Sequence, residues 1–119
     1  MKTILVVDDE QDIADAVSDL LEIEGYSVMR AGNGREALER ITQQRPDLIL
    51  LDMMMPVMDG RETLAALQAD EALRSIPVIV TSAGDVRDVK AQYGVTCMSK
   101  PFGIDALLEQ VASKLSGSG

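Results

Sequence analysis

The chain has 119 residues, 46% of them apolar and 26% charged, which suits one compact domain with a core of its own. Its net charge of −9 works against binding a nucleic-acid backbone or an anionic membrane surface, and no apolar run approaches the about 20 residues of a membrane span. The single cysteine, Cys97, excludes an internal disulfide, and the absence of histidine removes zinc chemistry and Ser-His or Cys-His catalysis in their usual forms.

Thr3 to Val7 reads as a buried strand. The N-terminus enters it at once, which leaves no room for a signal peptide and predicts a cytoplasmic protein. Ile13, Val17, Leu20 and Leu21 then recur at helical spacing, and Gly25 ends that helix. Ser27 to Ala31 is a more polar strand, as expected near a sheet edge. A helix over 35–44 follows, closed off by Pro46. The spacing next predicts a buried strand over 47–51, a helix over 60–69 and a buried strand over 77–81. Residues 85–92 have room for a short helix only. A short strand over 96–98 and an amphipathic helix over 104–115 complete the pattern. Five strands alternating with five helices predict a parallel α/β sheet covered on both faces, and the unbroken apolar strands point the same way. The domain is read as residues 1–116, with 117–119 a flexible tail.

The buried strands run into polar residues: Val7 into Asp8-Asp9-Glu10, Leu51 into Asp52, Val80 into Thr81-Ser82, and Met98-Ser99 into Lys100. In a parallel sheet these ends share one edge, where ligands bind. Asp8, Asp9 and Asp52 should therefore converge, with a hydroxyl and an ammonium beside them. Two like charges about 4 Å apart repel by about 4 kcal/mol at an effective dielectric of about 20, and one lysine is too little to offset three carboxylates. An oxygen-lined acidic pocket without His or Cys favours a hard cation, Mg²⁺ above all. A carboxylate beside that ion can act as nucleophile and form an acyl phosphate.

At this point the chain resembles a response-regulator receiver domain over residues 2–115. The resemblance rests on Ile4-Leu5-Val6-Val7-Asp8-Asp9-Glu10, on the run from Asp52 through Pro56 to Asp59-Gly60, on Ser82-Ala83 and on Lys100-Pro101-Phe102. It implies a flavodoxin-like, doubly wound five-stranded sheet in the order 2-1-3-4-5. It implies Asp52 as phosphoacceptor, Asp9 as a direct Mg²⁺ ligand, Asp8 as a water-mediated one and the Met54 backbone carbonyl as the last protein ligand. Ser82 would bond the phosphoryl oxygen, and Lys100 would pair with the phosphoryl group. The Lys100–Pro101 bond is often cis in such domains. The implied partner is a sensor histidine kinase or a histidine phosphotransfer protein, since this chain has no histidine to carry the phosphoryl group itself.

Two features depart from that pattern. Cys97 stands where these domains usually carry an aromatic switch residue, and the stretch from Ser82 to Lys100 is several residues short, which predicts a shortened fourth helix. The phosphoacceptor chemistry is complete in outline, while the output face is altered.

Plainer readings stand beside these. Asp8, Asp9 or Glu10 could cap the first helix, Ser82 could cap the fourth, and Asp52 could be a turn residue. The run Met53-Met54-Met55 reads as packing and loop, Asp59-Gly60 as a turn and helix start, and Cys97 as a small hydrophobe. Gly32-Asn33-Gly34-Arg35-Glu36-Ala37 fits the spacing of a dinucleotide fingerprint, but the preceding strand is half polar and the chain too short for a second, substrate domain. Two other classes compete: a phosphohydrolase with an aspartyl-phosphate intermediate, which needs an acid–base residue and a cap that are not found, and an interaction module with a vestigial pocket.

Overall fold

The computed structural model describes residues 1–116; the expected tail, 117–119, lies outside the described residues. Ten elements follow one another: β1 (Thr3–Val7), α1 (Gln11–Ile23), β2 (Ser27–Ala31), α2 (Gly34–Gln43), β3 (Leu48–Asp52), α3 (Gly60–Ala69), β4 (Val78–Ser82), α4 (Arg87–Tyr93), β5 (Thr96–Ser99) and α5 (Ile104–Ser116). The strands form one parallel sheet in the order β2-β1-β3-β4-β5, the α/β flavodoxin-like arrangement expected. β1, β3 and β4 are buried at every residue, as strands covered on both faces must be, whereas β2 and β5 lie at the edges and are half-exposed.

The sheet separates two aliphatic cores. Leu5, Val7, Ile49, Leu51 and Val80 face α2, α3 and α4, and Ile4, Val6, Leu48, Leu50 and Ile79 face α1 and α5. Alternate residues of one strand thus fill opposite layers. Among the described residues, no helix is long and apolar enough to cross a membrane.

Element boundaries shift by a residue or two from the sequence expectation. β3 and β4 each begin and end one residue later, so Asp52 and Ser82 are the last residues of their strands. Asp47 stands just outside β3, where its side chain takes the place of a ladder partner: its carboxylate accepts the Thr3 N–H at 2.8 Å while its own N–H donates to the Thr3 carbonyl at 2.7 Å. The fourth helix is short, as expected, at seven residues.

The Gly32–Ala37 stretch has a packing explanation. Asn33 caps α2, its side chain accepting the Glu36 N–H at 2.9 Å. A Cβ on Gly34 would lie 1.9 Å from Thr63 Oγ1 and 2.9 Å from the Met58 carbonyl. Glycine is required there by the contact between α2 and the start of α3, and β2 is an edge strand, away from the sheet's central cleft.

α4 is lightly held. Val89 is its one fully buried residue, with Val86 and Tyr93 packed beside it at the rim of the core. Arg61 on α3 grips Asp88 with both guanidinium nitrogens, at 2.6 and 2.9 Å, but the pair is open to solvent and screened. Its amide hydrogens are expected to exchange through local opening well before those of β4. Hydrogen-exchange mass spectrometry resolving residues 87–93 from 78–82 checks this, and equal protection in the two segments would contradict it.

Candidate functional site

The carboxyl ends of β1 and β3 are adjacent, with Val7 paired to Leu51 in register, so Asp8 and Asp52 emerge side by side. Both are buried, at 7% and 3% exposure. Lys100, at the end of β5, reaches across to them from the loop before α5. Its Nζ lies 3.0 Å from Asp8 Oδ2, 3.4 Å from Asp52 Oδ2 and 3.4 Å from Glu10 Oε1. The Lys100–Pro101 peptide is cis, and the Lys100 N–H donates to the Ser82 carbonyl at 2.8 Å, tying this loop to the end of β4.

The structure brings together a different acid trio from the one expected. Oxygens of Asp8, Glu10 and Asp52 lie within 4.8 Å of one another. Asp9 is not in that trio: it is exposed, and it lines a depression of about 300 Å³ with Met53 to Pro56 and Asp59. Neighbouring residues at a strand end point to opposite sides, so turning Asp8 toward β3 turns Asp9 outward. The capping alternative fails for the acids of this turn. Glu10 is the N-cap of α1 and makes no side-chain capping bond, and Asp8 Oδ1 accepts the Glu10 N–H at 2.9 Å.

Ser82 is buried one level beyond Asp52, since the register pairs Asp52 with Thr81. It does not cap α4, whose N-cap is Val86; its Oγ accepts the Gly84 N–H at 3.0 Å. The loop after β3 wraps the acidic edge. Met53 is buried and Met54 is exposed, and the Met54 N–H points to Asp52 Oδ1 at 3.4 Å. Val57 has φ 68°, a left-handed conformation that a β-branched residue adopts only under strain. Asp59 then caps α3 through a reciprocal pair with Glu62, as the turn reading of Asp59-Gly60 implies.

Electrostatics follow from this geometry. Burial, and then the charge of Asp8, push the Asp52 carboxyl above the usual carboxylate range, and Lys100 and the Met54 N–H offset this only in part. Burial alone would lower the Lys100 ammonium, but the bond to Asp8 and the charges of Asp52, Asp8 and Glu10 hold it above its ordinary value. Cys97 is half-buried on β5 among residues packed on the α3 and α4 side. Burial raises its thiol, which argues against a reactive thiolate. Beyond Lys100 the site opens onto a groove of about 570 Å³ between α1 and α5, walled by Ile13, Val17, Leu20, Phe102 and Leu107.

This geometry agrees with what the chain is similar to. The family model of the response regulator receiver domain matches residues 4–112. Sporulation initiation phosphotransferase F of Bacillus subtilis is 39% identical over 116 residues, which cover 94% of this chain and 92% of that protein. The receiver domain of a signal transduction histidine kinase from Syntrophus aciditrophicus superposes with a TM-score of 0.90 at 37% identity, covering 98% of this chain and 92% of that one. Response regulator TrrA of Thermotoga maritima, solved in complex with Mg(2+)-BeF, superposes with a TM-score of 0.86 at 32% identity over 97% of this chain and 100% of that one. The sheet order, the acidic edge and these likenesses converge: the chain belongs to the response regulator receiver domain family of two-component signalling.

Proposed function

We propose that Asp52 accepts a phosphoryl group, in a Mg²⁺-dependent reaction, from a phosphohistidine on a sensor histidine kinase or a histidine phosphotransfer protein. The observation that carries this reading is the buried Asp52 carboxylate, held beside Asp8 with the Lys100 ammonium on both. Residues 1–116 would form the phosphoacceptor unit, acting in the cytoplasm where such donors work.

The donor set fits a hard cation, because the clustered atoms are carboxylate oxygens with no imidazole or thiol among them. Asp9, Asp52 and the Met54 carbonyl would hold Mg²⁺ directly, with Asp8 acting through water. Bound there, the ion would supply positive charge against the charge on the phosphoryl oxygens. The complex of TrrA with Mg(2+)-BeF supports an acidic site of this kind taking Mg²⁺.

Asp52 is then the nucleophile. One carboxylate oxygen forms the P–O bond as the P–N bond to the donor imidazole breaks, and the bonding pair leaves on the imidazole nitrogen. Lys100, already 3.4 Å from Asp52 Oδ2, pairs with the transferred group. The Ser82 hydroxyl accepts from Gly84 and keeps its own proton to donate to a phosphoryl oxygen. The groove between α1 and α5 gives a donor protein an apolar surface to rest on. The domain assists its own phosphorylation and dephosphorylation and does not turn over an external substrate. Cys97 has too little volume to relay the change as an aromatic ring would, so rearrangement of α4 carries the output.

The test is phosphorylation by a small acyl phosphate, read by intact mass with Mg²⁺ or with a chelator. One phosphoryl group is expected with Mg²⁺ and next to none without it. Equal labelling in both conditions, or none in either, would refute the reading.

A further inference from the structure

Glu10 is the acid that the phosphoacceptor reading leaves without a role. It occupies the N-cap of α1 and does not cap it with its side chain. Its carboxylate instead turns back to Lys100, which is 90 residues away in sequence, at 3.4 Å. The Lys100 side chain is 11% exposed and that of Glu10 57%, so Glu10 meets the ammonium from the solvent side while Asp8 and Asp52 hold it from within.

This arrangement bears on how a cation enters. Lys100 competes with the ion for Asp52 directly and for Asp8 through its bound water, because positive charges repel across so short a distance. The ammonium must give up its place at Asp8 and Asp52 when the ion arrives, yet remain near enough to meet a phosphoryl group. Glu10 offers it a third carboxylate in contact range, on the outward side.

We infer that Glu10 is a positioning residue for Lys100, a resting place for the ammonium that lets a divalent cation take the inner carboxylates at lower cost. The inference rests on the Mg²⁺ site proposed above. In the metal-free protein the ammonium is shared three ways, and with the ion bound it moves outward onto Glu10. The role belongs to Glu10 alone among the acids of this turn, because Asp8 is an inner carboxylate and Asp9, lining the depression beside Met53 to Pro56, is assigned to the ion itself.

The test is a double-mutant cycle on Mg²⁺ affinity, measured by titration calorimetry on the whole chain. Glu10→Gln should weaken Mg²⁺ binding by about three- to tenfold, the range of coupling between contacting charges. In a Lys100→Met background no ammonium needs displacing, so the same substitution should leave affinity nearly unchanged. Metal-free melting should be alike in the parent and Glu10→Gln, since an exposed carboxylate is replaced by a near-isostere. Equal loss in both backgrounds would mean that Glu10 acts as a ligand or a general field, and would overturn the inference. No loss in either background would overturn it as well. Failure of the parent to bind Mg²⁺ would instead bring down the phosphoacceptor site itself, an outcome distinct from the others.

Discussion

Asp52→Asn should remove phosphorylation entirely and, in the absence of metal, make the protein more stable. The amide has nearly the shape of the carboxylate but is a poor nucleophile, so incubation with a small acyl phosphate and Mg²⁺ should leave its intact mass unchanged. The stability gain follows from the sign of the Asp52 shift. Burial and Asp8 raise this carboxyl above its ordinary value, so the folded state holds the proton more tightly than the unfolded state does. Ionised Asp52 therefore costs folding free energy at neutral pH. That cost is relieved as pH falls through the raised folded value toward the ordinary one. The melting advantage of Asp52→Asn should be largest near neutral pH and shrink on acidification. Mg²⁺ should reverse the ranking, since a ligand bound only by the native state adds about 2.7 kcal/mol at a hundredfold excess over its dissociation constant. Labelling of the variant equal to the parent would remove Asp52 as acceptor. A metal-free variant less stable than the parent would mean that the bond to Lys100 outweighs burial.

Gly60→Ala is expected to damage fold and site together. Gly60 opens α3, and its N–H donates to the Met53 carbonyl at 3.0 Å. A Cβ there would lie 2.6 Å from the Asp52 carbonyl oxygen, 2.7 Å from Met53 Cα and 2.5 Å from Met53 Cε. The methionine tip can move, but the other two atoms are backbone at the end of a central strand. α3 must retreat, and the loop carrying the Met54 N–H past Asp52 moves with it. Overpacking of this kind costs about 1–3 kcal/mol, occasionally more. Denaturant unfolding should show that loss, and the phosphorylation rate should fall with it. Stability within about 0.5 kcal/mol of the parent, the usual effect of a harmless surface change, would show that the helix start yields freely.

The sequence carried most of the fold because its three central strands are nearly pure aliphatic runs. β1, β3 and β4 are unbroken apolar runs over Ile4–Val7, Leu48–Leu51 and Val78–Val80, and such runs in alternation with helices admit few arrangements other than a covered parallel sheet. The same logic brought Asp8, Asp52 and Lys100 to one edge. Glu10 escaped it because an acid at a helix start reads as a cap, and its approach to Lys100 depends on a loop from the far end of the chain. The outward turn of Asp9 escaped it too, since side-chain direction at a strand end is set by local backbone geometry and Asp-Asp spells both directions alike. The reason for Gly34 lies in Thr63 and Met58, residues that no local pattern links to it.

The shallow seating of α4 also sets a floor on silence. Lifting that helix exposes one fully buried valine and two partly covered side chains, on the order of 2–3 kcal/mol of apolar burial. Burial on that scale is a small part of what holds a domain together, so α4 is the element expected to open most cheaply at this edge. With α4 carrying the output, as proposed, a partner that recognised its open form would need little help from phosphorylation to find it. On that proposal the range of the switch depends on how firmly Val89 holds the helix down, and deeper burial there would trade sensitivity for quiet.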